Sequence, residues 1–134
     1  MRRTLILLTP LLLAGCISES TSYMISDRDH AVTLRAEQKY FWKDEVEVRM
    51  IISRLPDCQR QLPLASLRAS NLEVELFDSG DNVFALRSAG RVWRVETQTC
   101  TQLPDETEGE LGQRLGANML DTDKDMVFVP TPAI

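Results

Sequence analysis

The chain has 134 residues, of which 43% are hydrophobic and 26% are charged, and its formal net charge is −5. This length fits one compact domain, and the composition is that of a globular protein rather than a disordered or fibrous one. The negative charge argues against a nucleic-acid binder, which needs a basic face toward phosphates. The single histidine, His30, excludes a metal site built on two histidines.

The first sixteen residues have the layout of an export signal. Arg2 and Arg3 precede a mainly apolar run over residues 5–13. This run is about half as long as the roughly 20 residues that a membrane-spanning helix needs, and it fits the apolar region of a secretory signal. The run ends in Leu13, Ala14, Gly15 and Cys16. These four residues resemble the lipobox of bacterial lipoproteins, and the alternatives are a cleaved soluble secretory protein or a chance apolar start.

The resemblance implies that residues 1–15 are removed as a signal peptide and that Cys16 becomes the lipidated amino terminus. Several acyl chains hold a protein firmly at a bilayer, whereas one chain holds it only marginally. Loss of Arg2 and Arg3 changes the formal charge from −5 to −7. In this class an Asp after the lipidated cysteine marks inner-membrane retention, so Ile17 and Ser18 favour the outer membrane. The serine-rich residues 16–29 are predicted to form a lipidated flexible tether, and residues 30–134 a single domain.

Cys58 and Cys100 are left once Cys16 is assigned to lipid. The exported compartment is oxidising, so an even number of leftover cysteines favours a disulfide. A zinc site is disfavoured because the two thiols have neither a nearby histidine nor Cys-x-x-Cys spacing. We therefore predict a structural Cys58–Cys100 bridge, which the chain-entropy model values at roughly 4 kcal/mol.

Alternation of apolar and polar residues predicts most of the domain to be β-structure. The clearest strand covers residues 45–53, where Val46, Val48, Met50 and Ile52 share one face. A second strand is predicted over residues 30–40, and an antiparallel meander over residues 71–77, 83–88 and 91–99. The predicted bridge would pin the end of the 45–53 strand to this meander.

The other segments carry weaker signals. Pro56 and Pro63 favour a loop over residues 55–70, with a short helical turn at 65–69. Leu111, Leu115 and Met119 recur at helical spacing, so residues 107–120 are predicted to form a helix despite three interior glycines. A final strand is predicted over residues 126–129. The predicted fold is mainly β: a small antiparallel sheet, sandwich- or barrel-like, with one short C-terminal helix.

Tyr40, Phe41 and Trp42 are three consecutive aromatic residues. On a strand, Tyr40 and Trp42 would face one side and Phe41 the other, so at least one ring is expected to be exposed. Exposed aromatic side chains are typical of protein interfaces and of membrane surfaces, and the alternative is core packing at a sheet end. We take the three residues as a candidate partner contact.

An acidic segment near the C-terminus has part of a calcium-binding pattern. Asp121, Asp123 and Asp125 alternate like the first ligands of a calcium loop, but Met126 stands where glycine is required and Pro132 where glutamate is required. A solvated acidic turn is the preferred interpretation, and cation binding stays an open question.

His30 is the one histidine available to a catalytic centre. Asp27 and Asp29 precede it, but the sequence contains no Gly-x-Ser-x-Gly elbow. No catalytic residue and no cofactor is predicted.

These patterns predict a non-enzymatic, lipid-anchored outer-membrane protein whose domain faces the periplasm or the cell surface. Its expected role is to bind an envelope protein or to support an envelope assembly. The alternative is a small periplasmic inhibitor or ligand-binding module acting on a basic hydrolase, toward which an acidic domain would be steered.

Overall fold

A computed structural model describes residues 17–104 and 110–132 of the chain, so the lipobox and residues 105–109 lie outside the described part. Ten strands account for most of the described residues, and none of those residues is helical. The strands are β1 Ser18–Asp27, β2 His30–Glu37, β3 Val46–Arg54, β4 Cys58–Leu67, β5 Glu73–Gly80, β6 Val83–Ser88, β7 Arg91–Glu96, β8 Thr101–Leu103, β9 Gln113–Leu120 and β10 Met126–Pro130.

The strands form two antiparallel sheets with one hydrophobic core between them. The first sheet is a four-stranded meander in the order β1-β2-β3-β4, and the second has six strands in the order β10-β9-β5-β6-β7-β8. Buried apolar side chains from both sheets belong to a single cluster. The mainly-β prediction is confirmed, and so is the β5-β6-β7 meander predicted from alternation.

The core follows from alternation along the central strands. In β3, Val46, Val48, Met50 and Ile52 are at most 1% exposed, as the sequence predicts. Each such side chain contributes roughly 1.5–3 kcal/mol when it is fully removed from water. The opposite face carries ion pairs such as Lys39–Glu47, which is 2.8 Å long and exposed. Exposed pairs of this kind contribute little, so the stability of the sheet rests on its inner face.

The prediction of a flexible tether over residues 16–29 is wrong for its described part. Residues 18–27 form β1, which pairs with β2 along most of its length. Its inner face carries the half-buried Tyr23 and Ile25, and its outer face carries four serines and the exposed Met24. Serine on the outer face hid the alternation, because serine is common in both linkers and exposed strand positions. The folded domain therefore already includes Ile17 and β1.

The loop predicted over residues 55–70 is instead mostly strand β4. Leu62 and Leu64 point into the core, and Pro63 between them is exposed. A register irregularity in the β3–β4 pairing lies beside Pro63. Proline is tolerated here because β4 is an edge strand, whose backbone N–H and C=O groups have a neighbouring strand on one side only. The short helical turn at residues 65–69 is likewise not present.

The predicted C-terminal helix is also wrong. Residues 113–120 form β9, which pairs with β10 on one side and β5 on the other, and residues 107–109 of the predicted helix lie outside the described part. Glycine is unfavourable within a helix and a short helix is only marginally stable by itself, whereas β9 is held between two paired strands. Gly116 is required at its place in β9, because a Cβ there would lie 2.6 Å from the Phe128 ring.

We predict that Gly116→Ala destabilises the fold by forcing β10 away from β9. Overpacking of this kind costs about 1–3 kcal/mol. Gly90→Ala is the matched control, because its Cβ would meet open space and only the positive φ of 75° opposes it. Denaturant titration should show a larger loss of unfolding free energy for Gly116→Ala, and equal losses would contradict the close β9–β10 approach.

Candidate functional site

Three connections meet around Ile17 at one end of the sandwich. Ile17 is 6% exposed, and a cleft of about 220 Å³ beside it is lined by residues of the β2–β3, β4–β5 and β9–β10 connections. Gln38 holds Ile17 in place. Its backbone N–H donates to the Ile17 carbonyl at 2.8 Å, and its side-chain oxygen accepts from the Ile17 N–H at 3.3 Å. We call this region the Ile17 end.

The β2–β3 connection, residues 38–45, is tied down at the Ile17 end. Asp44 accepts hydrogen bonds from the backbone N–H of Ser70 at 2.9 Å and from its hydroxyl at 2.5 Å. The hydroxyl bond is the main reason that the pKa of Asp44 lies below its usual value. The Gln38 side chain donates to the Lys43 carbonyl at 2.6 Å and closes the connection into a compact loop.

Tyr40, Phe41 and Trp42 project from this loop into solvent. Their exposed fractions are 47%, 62% and 66%, so the alternative of core packing at a sheet end is wrong. The Trp42 ring lies 5.0 Å from both neighbouring rings, edge-on to Phe41. Lys43 extends over the Tyr40 ring at 5.2 Å. The three side chains thus form one exposed aromatic cluster, which alternation along a strand did not predict because they lie in a loop.

The opposite end of the sandwich, which we call the Cys58 end, carries the predicted disulfide. Cys58 begins β4 and Cys100 lies between β7 and β8, with their Cα atoms 6.0 Å apart. The Cys58–Cys100 bridge therefore joins the two sheets covalently, as the sequence predicts. Cys100 is 3% exposed, which shields that sulfur from solvent.

We predict that replacing both Cys58 and Cys100 by serine lowers the free energy of unfolding by roughly 4 kcal/mol, because the unfolded chain regains the entropy of an open loop. Denaturant titration of both proteins measures the difference. A reductant should destabilise the parent protein and leave the double variant unchanged. Equal stability of the parent and the variant would contradict a stabilising bridge.

His30 forms a second link between the sheets at the Cys58 end. Its Nδ1 lies 3.2 Å from the Ser26 hydroxyl and its Nε2 lies 3.3 Å from the Thr97 hydroxyl. Both ring nitrogens thus face hydroxyl groups, and the nearby Asp27 carboxylate accepts from backbone N–H groups of the β1–β2 turn. Within the described residues the ring therefore lacks the orienting carboxylate of a catalytic triad.

Desolvation of the buried His30 ring lowers its pKa, and the charge of Arg54 lowers it further against the opposing effect of Asp27. The folded protein therefore binds a proton at His30 less readily than the unfolded chain does. The stability that this ring contributes is complete above the unfolded pKa of about 6.5 and is lost as the pH falls through the folded value.

We therefore expect the unfolding free energy to fall between about pH 7 and pH 5, and His30→Gln to flatten that decline, since glutamine has no proton to bind in this range. Titration with denaturant across this range measures the slope. Ser22→Ala, on the exposed face of β1, is the control that should keep the parent slope. An unchanged slope in His30→Gln would contradict the conclusion that the pKa of His30 is lowered in the folded protein.

The acidic segment forms the β9–β10 turn at the Ile17 end. One oxygen of Asp121 accepts from the backbone N–H groups of Asp123 and Asp125, both at 2.9 Å. Desolvation, followed by a hydrogen bond with Asp125, raises the pKa of Glu19 on the adjacent β1. In the described part of the chain, no group of three His, Cys, Asp or Glu residues is placed to hold a metal ion.

An ion-pair cluster that the sequence did not predict lies on the outer face of the six-stranded sheet. Arg87 binds both carboxylate oxygens of Glu75, at 2.9 and 3.1 Å, and Arg114 donates to Glu75 at 3.1 Å. Burial raises the pKa of Glu75, but the hydrogen bonds from the two arginines outweigh it, and the net pKa lies below its usual value. The cross-strand register of β5, β6 and β9 brings these residues together, which the sequence does not show before the strands are paired.

No protein-family model, curated protein or solved structure matches this chain. Between residues 17 and 132, leaving aside 105–109, no helix is long and apolar enough to cross a membrane. The fold and the two ends of the sandwich therefore supply the basis for a functional interpretation.

Proposed function

We propose that this chain is a non-enzymatic lipoprotein of the outer membrane, held by lipid on Cys16, that binds a protein partner or supports an envelope assembly. The main support is the position of Cys16 relative to the fold. It directly precedes Ile17, the first residue that the structure describes, which is buried, and it is the one cysteine of three outside the Cys58–Cys100 bridge.

The anchor would leave the domain little freedom to move relative to the lipid. Consecutive Cα atoms lie about 3.8 Å apart, so the Cys16 Cα is within that distance of a residue fixed by two hydrogen bonds to Gln38. The Ile17 end would then face the bilayer and the Cys58 end would point away from it. Such an anchor presents the outer faces of both sheets to other envelope components in a defined orientation.

A binding role is favoured over catalysis by the polar groups of the fold. His30 and Glu75 are both engaged in contacts that link strands or sheets, as described above. The Glu75–Arg87 pair lines the edge of an open cleft of about 390 Å³ on the outer face, where the arginine is held by its carboxylate partner. These groups stabilise the surface that a partner would meet.

We predict that the native protein, purified from a bacterial envelope, begins at Cys16 and carries the mass of attached acyl chains. Mass spectrometry of the intact protein measures this. Cys16→Ser should abolish the added mass and release the protein from sedimented membranes, because the sulfur that accepts the lipid is gone. Cys58→Ser/Cys100→Ser is the control, and it should keep the lipid. A native amino terminus without acyl groups would contradict the proposal.

The binding role needs a separate experiment. Chemical crosslinking in intact envelopes, followed by purification of the acylated protein, should yield a reproducible adduct with an envelope protein. The Cys16→Ser variant should lose the adduct, because its fixed orientation at the membrane is lost. A basic hydrolase in the adduct, inhibited by the purified protein, would replace the assembly role with the inhibitor alternative.

A further inference from the structure

We propose that the aromatic cluster of Tyr40, Phe41 and Trp42 inserts into the interfacial layer of the lipid bilayer and forms a second, non-covalent membrane contact. This inference rests on the proposed lipid anchor at Cys16. It goes beyond that anchor because it assigns a partner, a lipid surface, to the exposed loop.

The first argument is distance along the chain. Gln38 binds Ile17 directly, and Ile17 is one residue from Cys16. Trp42 is four residues beyond Gln38, and an extended chain spans at most about 3.6 Å per residue, so their Cα atoms are within about 14 Å. The two polar headgroup layers together are about 10–15 Å thick. The loop is therefore confined to the neighbourhood of the membrane surface whenever Cys16 is anchored.

The second argument is the chemistry of the cluster. Tryptophan and tyrosine concentrate at membrane interfaces, because a large apolar ring and a polar N–H or O–H group match the change from acyl chains to headgroups. Here Trp42 and Phe41 are the most exposed large apolar side chains of the described part of the protein. Insertion would remove this apolar surface from water.

The third argument is that the loop is already organised. Gln38 closes it through the Lys43 carbonyl, and the bond from Ser70 to Asp44 holds its far side against the β4–β5 connection. The rings also stack on one another. Insertion would therefore cost little further ordering of the backbone, which favours binding by a preformed surface.

Charge does not supply the attraction. Lys39, Lys43 and Lys124 lie at the Ile17 end, but so do Asp44, Glu45, Glu47 and the aspartates of the β9–β10 turn. The mixture of signs gives no basic patch for anionic lipids. Apolar insertion accordingly predicts contact with uncharged phosphatidylcholine vesicles, and contact that survives high salt.

Trp42 provides the direct test, because it is one of two tryptophans and Trp93, the other, is 2% exposed. The native acylated protein is reconstituted into phosphatidylcholine vesicles with bromine on the acyl chains, which quenches tryptophan in contact with them. We expect a substantial loss of emission relative to unbrominated vesicles. The loss should disappear in Trp42→Phe, where only the buried Trp93 emits.

Leu55 supplies the matched control. It is 45% exposed in the β3–β4 turn at the Cys58 end, so Leu55→Trp in the Trp42→Phe background places an exposed indole away from the bilayer. This indole should not be quenched. Vesicle flotation of the same samples reports the anchor independently. Protein that floats but shows no more quenching at Trp42 than at Leu55→Trp would overturn the aromatic contact and leave the anchor standing, whereas protein without acyl groups would overturn both.

A protein partner for the same loop is the competing outcome. A photoreactive benzoyl-phenylalanine at position 41 in cells should give adducts with phospholipid, detected by mass spectrometry. The same group at position 55 should give none. A discrete protein adduct at position 41 without lipid adducts would assign the cluster to a protein interface and overturn the membrane contact.

Discussion

The fold depends on the packing of two sheets through the apolar faces of their central strands. Leu34 of β2 and Met50 of β3 face a layer that includes Leu76 of β5 and Leu86 of β6, and all four are at most 1% exposed. This interface fixes the spacing between the sheets. The polar and covalent links are at its margins, where they resist splaying of the sheets rather than supply the main burial energy.

Those marginal links lie in two different places. The Thr21 hydroxyl donates to Asn118 at 2.6 Å, where β1 and β9 approach, and the Tyr23 and Phe128 rings meet 5.4 Å apart beside them. The disulfide and His30 act at the Cys58 end. The Ile17 end has no covalent link among the described residues and carries the loops instead. The sandwich thus has one covalently closed end and one end at which Ile17 lies and the exposed β2–β3 loop projects.

The sequence predicted the parts of this arrangement that depend on local alternation. Strands β2, β3, β5, β6, β7 and β10 were found because each alternates clearly. The predictions failed where pairing overrides local preference: serine-rich β1, proline-containing β4 and glycine-containing β9. The disulfide followed from cysteine counting, and its link between the β3 end and the meander followed from the strand positions, but the division of these strands into two sheets did not. Nor did the proximity of the aromatic cluster to Ile17, because it depends on a hydrogen bond between residues 17 and 38.

The failure of the tether prediction changes the physical consequences of an anchor at Cys16. A flexible linker of about 13 residues would let the domain sample roughly 20 Å and every orientation. A fold that already includes Ile17 removes that freedom, so the strands would extend away from the bilayer. A nine-residue strand such as β3 spans roughly 30 Å, which sets the reach of the Cys58 end from the membrane. Under the proposed anchor, a fixed orientation with a paired lipid and aromatic contact would let this small domain present the same face to every partner.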